Sequence, residues 1–184
     1  MKETKTRLTL RGSFDTVVNG GFPNDPITIL EYANVLDLKK AWKVEGYAVW
    51  PVNFRSGVNG ATVTASLETF LSTDRNIIDA TNVPIQNNAI DNRQIAWGST
   101  LINLGAGDKA MSLQNQAIQN ESFHIDPDHL IQDELNLYLR SASSSDFEGV
   151  VRRINYIVYL IEVEITPNES IIQNIKGKGQ DLSS

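Results

Sequence analysis

The segment 150–179 constrains the fold of this chain more than any other part of its sequence. Alternate positions from Ile157 to Ile165 are apolar throughout, and the other set, from Ile154 on, turns acidic only at Glu162 and Glu164. Such alternation is the pattern of a β-strand. We therefore predict a long central strand of a packed β-sandwich, covered on both faces at its start and on one face at its end.

Directly after this strand the sequence carries the signature of a helix start. Thr166 is a good N-cap residue, Pro167 suits the first helical position, and Glu169 stands three residues after the cap. The spacing predicts a capping box in which Thr166 and Glu169 each bind the other's backbone. We expect a short C-terminal helix over residues 167–179.

Shorter segments upstream alternate in the same way and are separated by clusters of Gly, Pro, Asn and Asp, which favour turns. The predicted strands lie within residues 1–11, 27–40, 42–52, 61–72, 94–104 and 130–140. With the C-terminal strand and the weakly patterned stretch 109–120 they make about eight. We predict one all-β domain over residues 1–184, an eight-stranded two-sheet sandwich folded as a single jelly roll. Residues 1–11 form its N-terminal arm or edge strand.

The composition excludes several kinds of site and partner. The chain has 184 residues and no cysteine, so disulfides, thiolate nucleophiles and Cys-ligated zinc are absent. Its 16 Lys and Arg residues against 22 Asp and Glu give a net charge of −6, which argues against a general nucleic-acid binder. No run approaches the roughly 18 apolar residues that span a bilayer, and the first residues lack the apolar core of a signal peptide. We expect no membrane segment and no leader.

Basic residues are concentrated at the beginning of the chain, at Lys2, Lys5, Arg7 and Arg11. A solvated edge strand explains this concentration best, because charged side chains are typical of exposed strands. Weak contact of these four residues with nucleic acid is the alternative.

Both histidines of the chain lie in the hexapeptide His124-Ile-Asp126-Pro-Asp128-His129. Imidazole and carboxylate groups suit zinc or a similar ion, and cupin-type jelly rolls hold metals on such side chains. Asp before Pro is also a common start of a turn. We predict a structural turn without metal or other cofactor, and a cupin-type metal enzyme is the alternative.

Other catalytic patterns are weaker. There is no Gly-x-Ser-x-Gly elbow, and Glu162 and Glu164 are better explained as a solvated strand end than as the paired carboxylates of a glycosidase. We therefore expect no enzymatic activity. Exposed aromatic residues such as Tyr47 or Trp50 would suit a carbohydrate-binding module, which is the alternative from another class.

The last third of the chain contains four short motifs that resemble those of a known family. The motifs are Ile125-Asp-Pro-Asp-His129, Asn155-Tyr156, Glu162-Val-Glu-Ile-Thr166 and the stretch 175–181. This segment, 125–181, is similar to the C-terminal part of coat proteins from small environmental viruses with circular single-stranded DNA genomes.

The resemblance implies a jelly-roll capsid protein of the virion whose copies form an icosahedral shell around the genome. Its partner would be itself, with other virion proteins and packaged nucleic acid as further candidates. Coat proteins that bind single-stranded genomes directly often carry a long Arg/Lys-rich arm. This chain departs from that pattern, since it has four basic residues among its first eleven.

Contacts between copies are expected in loops and at the chain ends, because the strands use their apolar faces for the core. The excursion from Thr73 to Asn92 and the loop from Asn19 to Pro26 are poor in charge. Apolar side chains left exposed in these loops would be unfavourable in water, so they indicate a contact surface. The predicted interface residues are Ile77, Ile78, Val83, Pro84, Ile85 and Ile90.

Overall fold

A computed structural model describes residues 2–23, 25–31, 39–53, 63–75, 87–104 and 120–178. Within them the strands are β1 (Lys2–Val17), β2 (Ile27–Glu31), β3 (Lys40–Pro51), β4 (Val63–Ser72), β5 (Gln94–Leu104), β6 (Asn120–Ile125), β7 (Glu134–Ala142) and β8 (Val151–Glu164). A 3₁₀ turn at Ser145–Phe147 precedes β8, and α1 (Pro167–Lys178) follows it.

The strands form two antiparallel sheets, which confirms the predicted all-β sandwich. The three-stranded sheet has the order β1-β8-β3, and the five-stranded sheet has the order β2-β7-β4-β5-β6. In a jelly roll the chain folds as one long hairpin, so strand 1 pairs with 8, 2 with 7, 3 with 6 and 4 with 5. This protein has the first, second and fourth of these pairs, whereas β6 pairs with β5.

The place beside β3 that a jelly roll gives to its sixth strand is taken in part by Ile131. Trp42 N donates to Ile131 O at 2.8 Å, and Ile131 N donates to Trp42 O at 2.7 Å. The segment between β6 and β7 therefore extends the three-stranded sheet for one bridge, and β6 remains on the other sheet.

The long C-terminal strand is central, as predicted, because β8 lies between β1 and β3. Its buried positions are Ile154, Val158 and Leu160 at first, and Ile161 and Val163 farther on. The prediction that both faces are covered at its start is wrong, because on the outer face Asn155 and Ile157 are only half-buried and Tyr159 is exposed. Among the described residues nothing is layered over the outer face there.

A β-bulge overrides the simple alternation in β3. The register to β8 shifts between Val44 and Gly46, so Glu45 is an extra residue. An extra residue reverses which side chains face the core. Simple alternation would put Val44 and Trp50 on one face and Tyr47 on the other. Because of the bulge, Val44 and Tyr47 are both buried in the core, and Trp50 lies on the outer face.

Tyr47 closes the core between the two sheets. Its hydroxyl oxygen lies 3.2 Å from Thr69 Oγ1, and its ring meets Phe123 edge-on with centroids 4.8 Å apart. Both rings lie over Gly98, where a Cβ would come 2.5 Å from Tyr47 Oη. Only glycine fits there, which lets β6 pack against β5. Burial raises the pKa of Tyr47, so its hydroxyl stays neutral.

An aromatic layer, made of Phe22, Phe70, Trp97 and Tyr138, covers the outer face of the five-stranded sheet. Phe70 and Tyr138 stack with centroids 4.5 Å apart, and Phe22 contacts Phe70 edge-on at 5.0 Å. The Arg140 guanidinium lies 5.0 Å above the Phe22 ring. These contacts fix the loop before β2 on the five-stranded sheet. Phe22 is therefore buried and not available for contact with another copy.

The capping box at the start of α1 is confirmed. Thr166 N donates to Glu169 Oε2 at 2.8 Å, and Glu169 N donates to Thr166 Oγ1 at 3.3 Å. The backbone hydrogen bond from Thr166, with that from its hydroxyl, holds the pKa of Glu169 below its ordinary value. The carboxylate therefore stabilises the helix fully above that ordinary value, and the contribution is lost as the pH falls through the lowered pKa.

Replacing Thr166 with alanine should lower the free energy of unfolding by about 1 kcal/mol, because the Glu169 N–H loses its acceptor. Urea denaturation at neutral pH measures this loss. Thr166→Ser keeps the hydroxyl and is the matched control, expected to stay near wild type. Equal denaturation midpoints for wild type and Thr166→Ala would show that the cap contributes nothing.

Candidate subunit interface

The helix α1 turns its polar side towards the rest of the protein. Gln132 Nε2 donates to Ser170 Oγ at 2.7 Å, and Gln173 Nε2 donates to Asp128 O at 3.3 Å. Ser170 is completely buried by this contact. Hydrogen bonds to the turn between β6 and β7 therefore fix the helix on one side.

The opposite side of α1 is apolar and faces water. Ile171, Ile172 and Ile175 are 54%, 62% and 66% exposed. At about 100° per residue these three side chains lie within a single stripe of the helix. We call this stripe the isoleucine face. A surface helix normally buries its apolar stripe in its own core, so the amphipathicity of α1 is inverted.

Of the predicted interface residues, only Ile90 can be placed. It is 83% exposed, in a turn where its backbone N–H donates to Asn88 Oδ1 at 3.0 Å. Outside the described residues lie Ile77, Ile78, Val83, Pro84 and Ile85. Their role at an interface stays a prediction. The isoleucine face itself was missed, because spacing reveals an apolar stripe and not the direction in which it points.

A second exposed surface lies on the outer side of the three-stranded sheet. It consists of alternate β8 residues from Val151 to Tyr159 and their cross-strand neighbours on β1 and β3. We call it the open sheet face. Its side chains are exposed or half-buried and include Val17, Trp50, Val52, Val151, Ile157 and Tyr159.

The two candidate sugar-stacking residues lie on opposite sides of the same sheet. Tyr47 is buried in the core, so its proposed use as an exposed aromatic is wrong. The bulge at Glu45 is the physical reason, since it turns Tyr47 inwards. Trp50 is half-buried on the open sheet face, together with Tyr159.

The two histidines differ in environment. His124 lies in β6 opposite Trp97 and is exposed, whereas His129 is buried with Nδ1 3.7 Å from Asp126 Oδ2. Asp128 N donates to Asp126 Oδ1 at 3.0 Å, which confirms the predicted turn. Among the described residues no group of three or more His, Asp or Glu side chains could hold a metal ion. The expectation of a metal-free turn remains a prediction.

The basic residues at the beginning of the chain belong to an edge strand that extends beyond the predicted 1–11. Lys2, Lys5, Arg7 and Arg11 are all exposed on β1. Arg7 Nε lies 3.2 Å from Glu45 Oε2, so at least one of them is already paired with an acid. Acidic neighbours weaken the attraction of this strand for phosphate groups.

The structure defines this protein as an all-β sandwich with a short C-terminal helix. No protein-family model matches the chain, and no curated protein matches it with significant similarity. In the ranges that the structure covers, no helix is long and apolar enough to cross a membrane. One sandwich architecture supports many unrelated functions, so function has to be argued from the exposed surfaces.

Proposed function

We propose that this protein is a viral capsid protein, a structural subunit without enzymatic activity whose copies assemble into a closed icosahedral shell. The observation that carries the proposal is the isoleucine face of α1. It is an apolar surface on a rigid element, and hydrogen bonds hold it facing outwards. The occupant that we propose for it is a second copy of this chain.

The isoleucine face leaves apolar area exposed to water in a single copy. Apolar area removed from water contributes about 25 cal/mol per Å². A contact between identical copies repeats this gain at each subunit of a closed assembly. The exposed Ile90 on a separate loop supplies a second apolar point of contact, so that one copy can touch more than one neighbour.

The fold supports the same proposal. Its strand order follows that of a jelly roll except at β6. The residues that resemble viral coat proteins begin at the end of β6 and in the turn after it, and continue in β8 and α1. On this proposal the protein resides in the virion. Its main partner is itself, and Lys2, Lys5, Arg7 and Arg11 make at most weak contact with the packaged nucleic acid.

The size of the purified protein tests the proposal. Light scattering and negative-stain microscopy across protein concentration and salt should show a large and discrete particle. The particle should form more readily at higher salt, because the net charge of −6 makes copies repel each other until salt screens them. A strict monomer under all these conditions would contradict the proposal.

A carbohydrate-binding module is the second candidate, and the open sheet face favours it. Trp50 and Tyr159 present aromatic rings on an uncovered sheet, where sugar rings can stack. A monomer that binds glycans and loses this binding in Trp50→Ala would favour this candidate. Retained assembly with no glycan binding would favour the shell.

A further inference from the structure

The side chain of Arg152 is buried in one end of the sandwich. The residue is 6% exposed and lies opposite Thr16 in the pairing of β8 with β1. Its Nη1 donates to Ser141 Oγ across 3.5 Å, and its guanidinium carbon lies 6.0 Å from the centre of the Phe147 ring. A long hydrogen bond to a neutral hydroxyl and an aromatic ring are weak compensation for a buried charge.

The remaining donors of this guanidinium are unsatisfied. Nε and Nη2 are buried and meet no hydrogen-bond acceptor, and no ion pair of the described residues includes Arg152. Burial lowers the pKa of Arg152, since nothing nearby offsets the loss of hydration. An arginine remains protonated in proteins, so the sandwich encloses a positive charge that no described residue compensates.

Arg93 shows what the same fold does with another buried arginine. It is about as buried as Arg152, but its Nη2 lies 2.8 Å from Asp91 Oδ2, and Nε donates to Asp91 Oδ1 at 2.9 Å. The hydrogen bond to Asp91 raises the pKa of Arg93, the opposite of the direction at Arg152. Arg93 has its counter-charge in Asp91, whereas Arg152 has none within the part of the chain that the structure describes.

We infer that Arg152 binds a small inorganic anion inside the native sandwich, with Nε–H and Nη2–H as its donors. Charge-assisted hydrogen bonds from a guanidinium are among the strongest that a protein offers an anion. The guanidinium contacts Ser141 of β7 and Phe147 of the 3₁₀ turn, and its Nε and Nη2 are buried, so an ion of the size of chloride suits these donors better than a large organic anion. This inference does not depend on the proposed shell.

An anion that binds the native state and not the unfolded state stabilises a protein more as the anion concentration rises. Urea denaturation of the full chain is followed while sodium chloride replaces sodium gluconate at constant ionic strength. The folding equilibrium constant of wild type should rise with the chloride concentration. The increase should be about tenfold when chloride is at about ten times its dissociation constant. Broadening of the chloride NMR line reports the same binding without unfolding.

Two arginine variants separate a specific site from a general salt effect. Arg152→Met should lose the chloride response and, in gluconate, be at least as stable as wild type, because it removes an unpaired buried charge. Arg153→Met is the matched control. Its guanidinium is exposed on the other face of β8, 3.7 Å from Asp15 Oδ1, so the chloride response should remain.

Equal chloride responses in wild type and Arg152→Met would overturn the inference. It would also be overturned if the stability of wild type did not change when chloride replaces gluconate. Should Arg152→Met fail to fold, the chloride line broadening decides by itself, and its absence with wild type contradicts the site. A wild-type stability that changes with protein concentration and not with chloride would contradict the site as well.

Discussion

On the proposed assembly, replacing Ile171 and Ile175 together with aspartate is expected to leave the protein monomeric. Each side chain is already partly covered in the monomer, so a contact with another copy should contribute about 1 kcal/mol per isoleucine. A two-fold contact contains both residues twice. The loss is then about 4 kcal/mol per contact, which weakens association about a thousandfold. The added charges increase this effect, since they would face each other across the contact.

The fold itself should tolerate this double change, because both isoleucines face water in the monomer. Urea denaturation should therefore show nearly unchanged stability while light scattering shows the loss of the particle. Val151→Asp is the matched control, since Val151 is an equally exposed apolar residue on the open sheet face. We expect this control to assemble. Assembly that is lost in Val151→Asp and kept in the double variant would place the contact on the strands instead of the chain end.

Of the variants proposed for this protein, Phe70→Ala should lower the free energy of unfolding most, by about 3–5 kcal/mol. Phe70 is fully buried at the centre of the aromatic layer, stacked on Tyr138 and in edge contact with Phe22. Truncation opens a cavity between these two rings and releases the loop that Phe22 anchors. Tyr138 on β7 and Trp97 on β5 are fixed by the strands on either side of β4, so they cannot move into the space without breaking the sheet, and little of the loss is recovered.

Urea denaturation followed by tryptophan fluorescence measures this loss, because Trp97 belongs to the aromatic layer. Tyr159→Ala is the control, as it removes an aromatic ring that is largely exposed on the open sheet face. We expect it to cost much less than Phe70→Ala. Similar losses in both variants would show that the aromatic layer does not stabilise the five-stranded sheet.

The sequence alone determined the features of this protein that depend on near neighbours. Alternation identified β3, β5, β7 and β8 as strands, because the two faces of a strand meet different surroundings. The capping box was predictable residue by residue, since Thr166 and Glu169 satisfy each other within one turn of helix. These interactions need no information from distant parts of the chain.

Only the tertiary structure decided which way the side chains point and what they meet. Pairing with β8 places the bulge at Glu45, which buries Tyr47, and packing over Gly98 keeps β6 on the five-stranded sheet. Hydrogen bonds from distant residues turn the isoleucine face of α1 outwards. Such outcomes depend on contacts between residues far apart in sequence, whose geometry no local pattern encodes. The buried charge of Arg152 is of the same kind, because the sheets must pack before its guanidinium is buried with no counter-charge among the described residues.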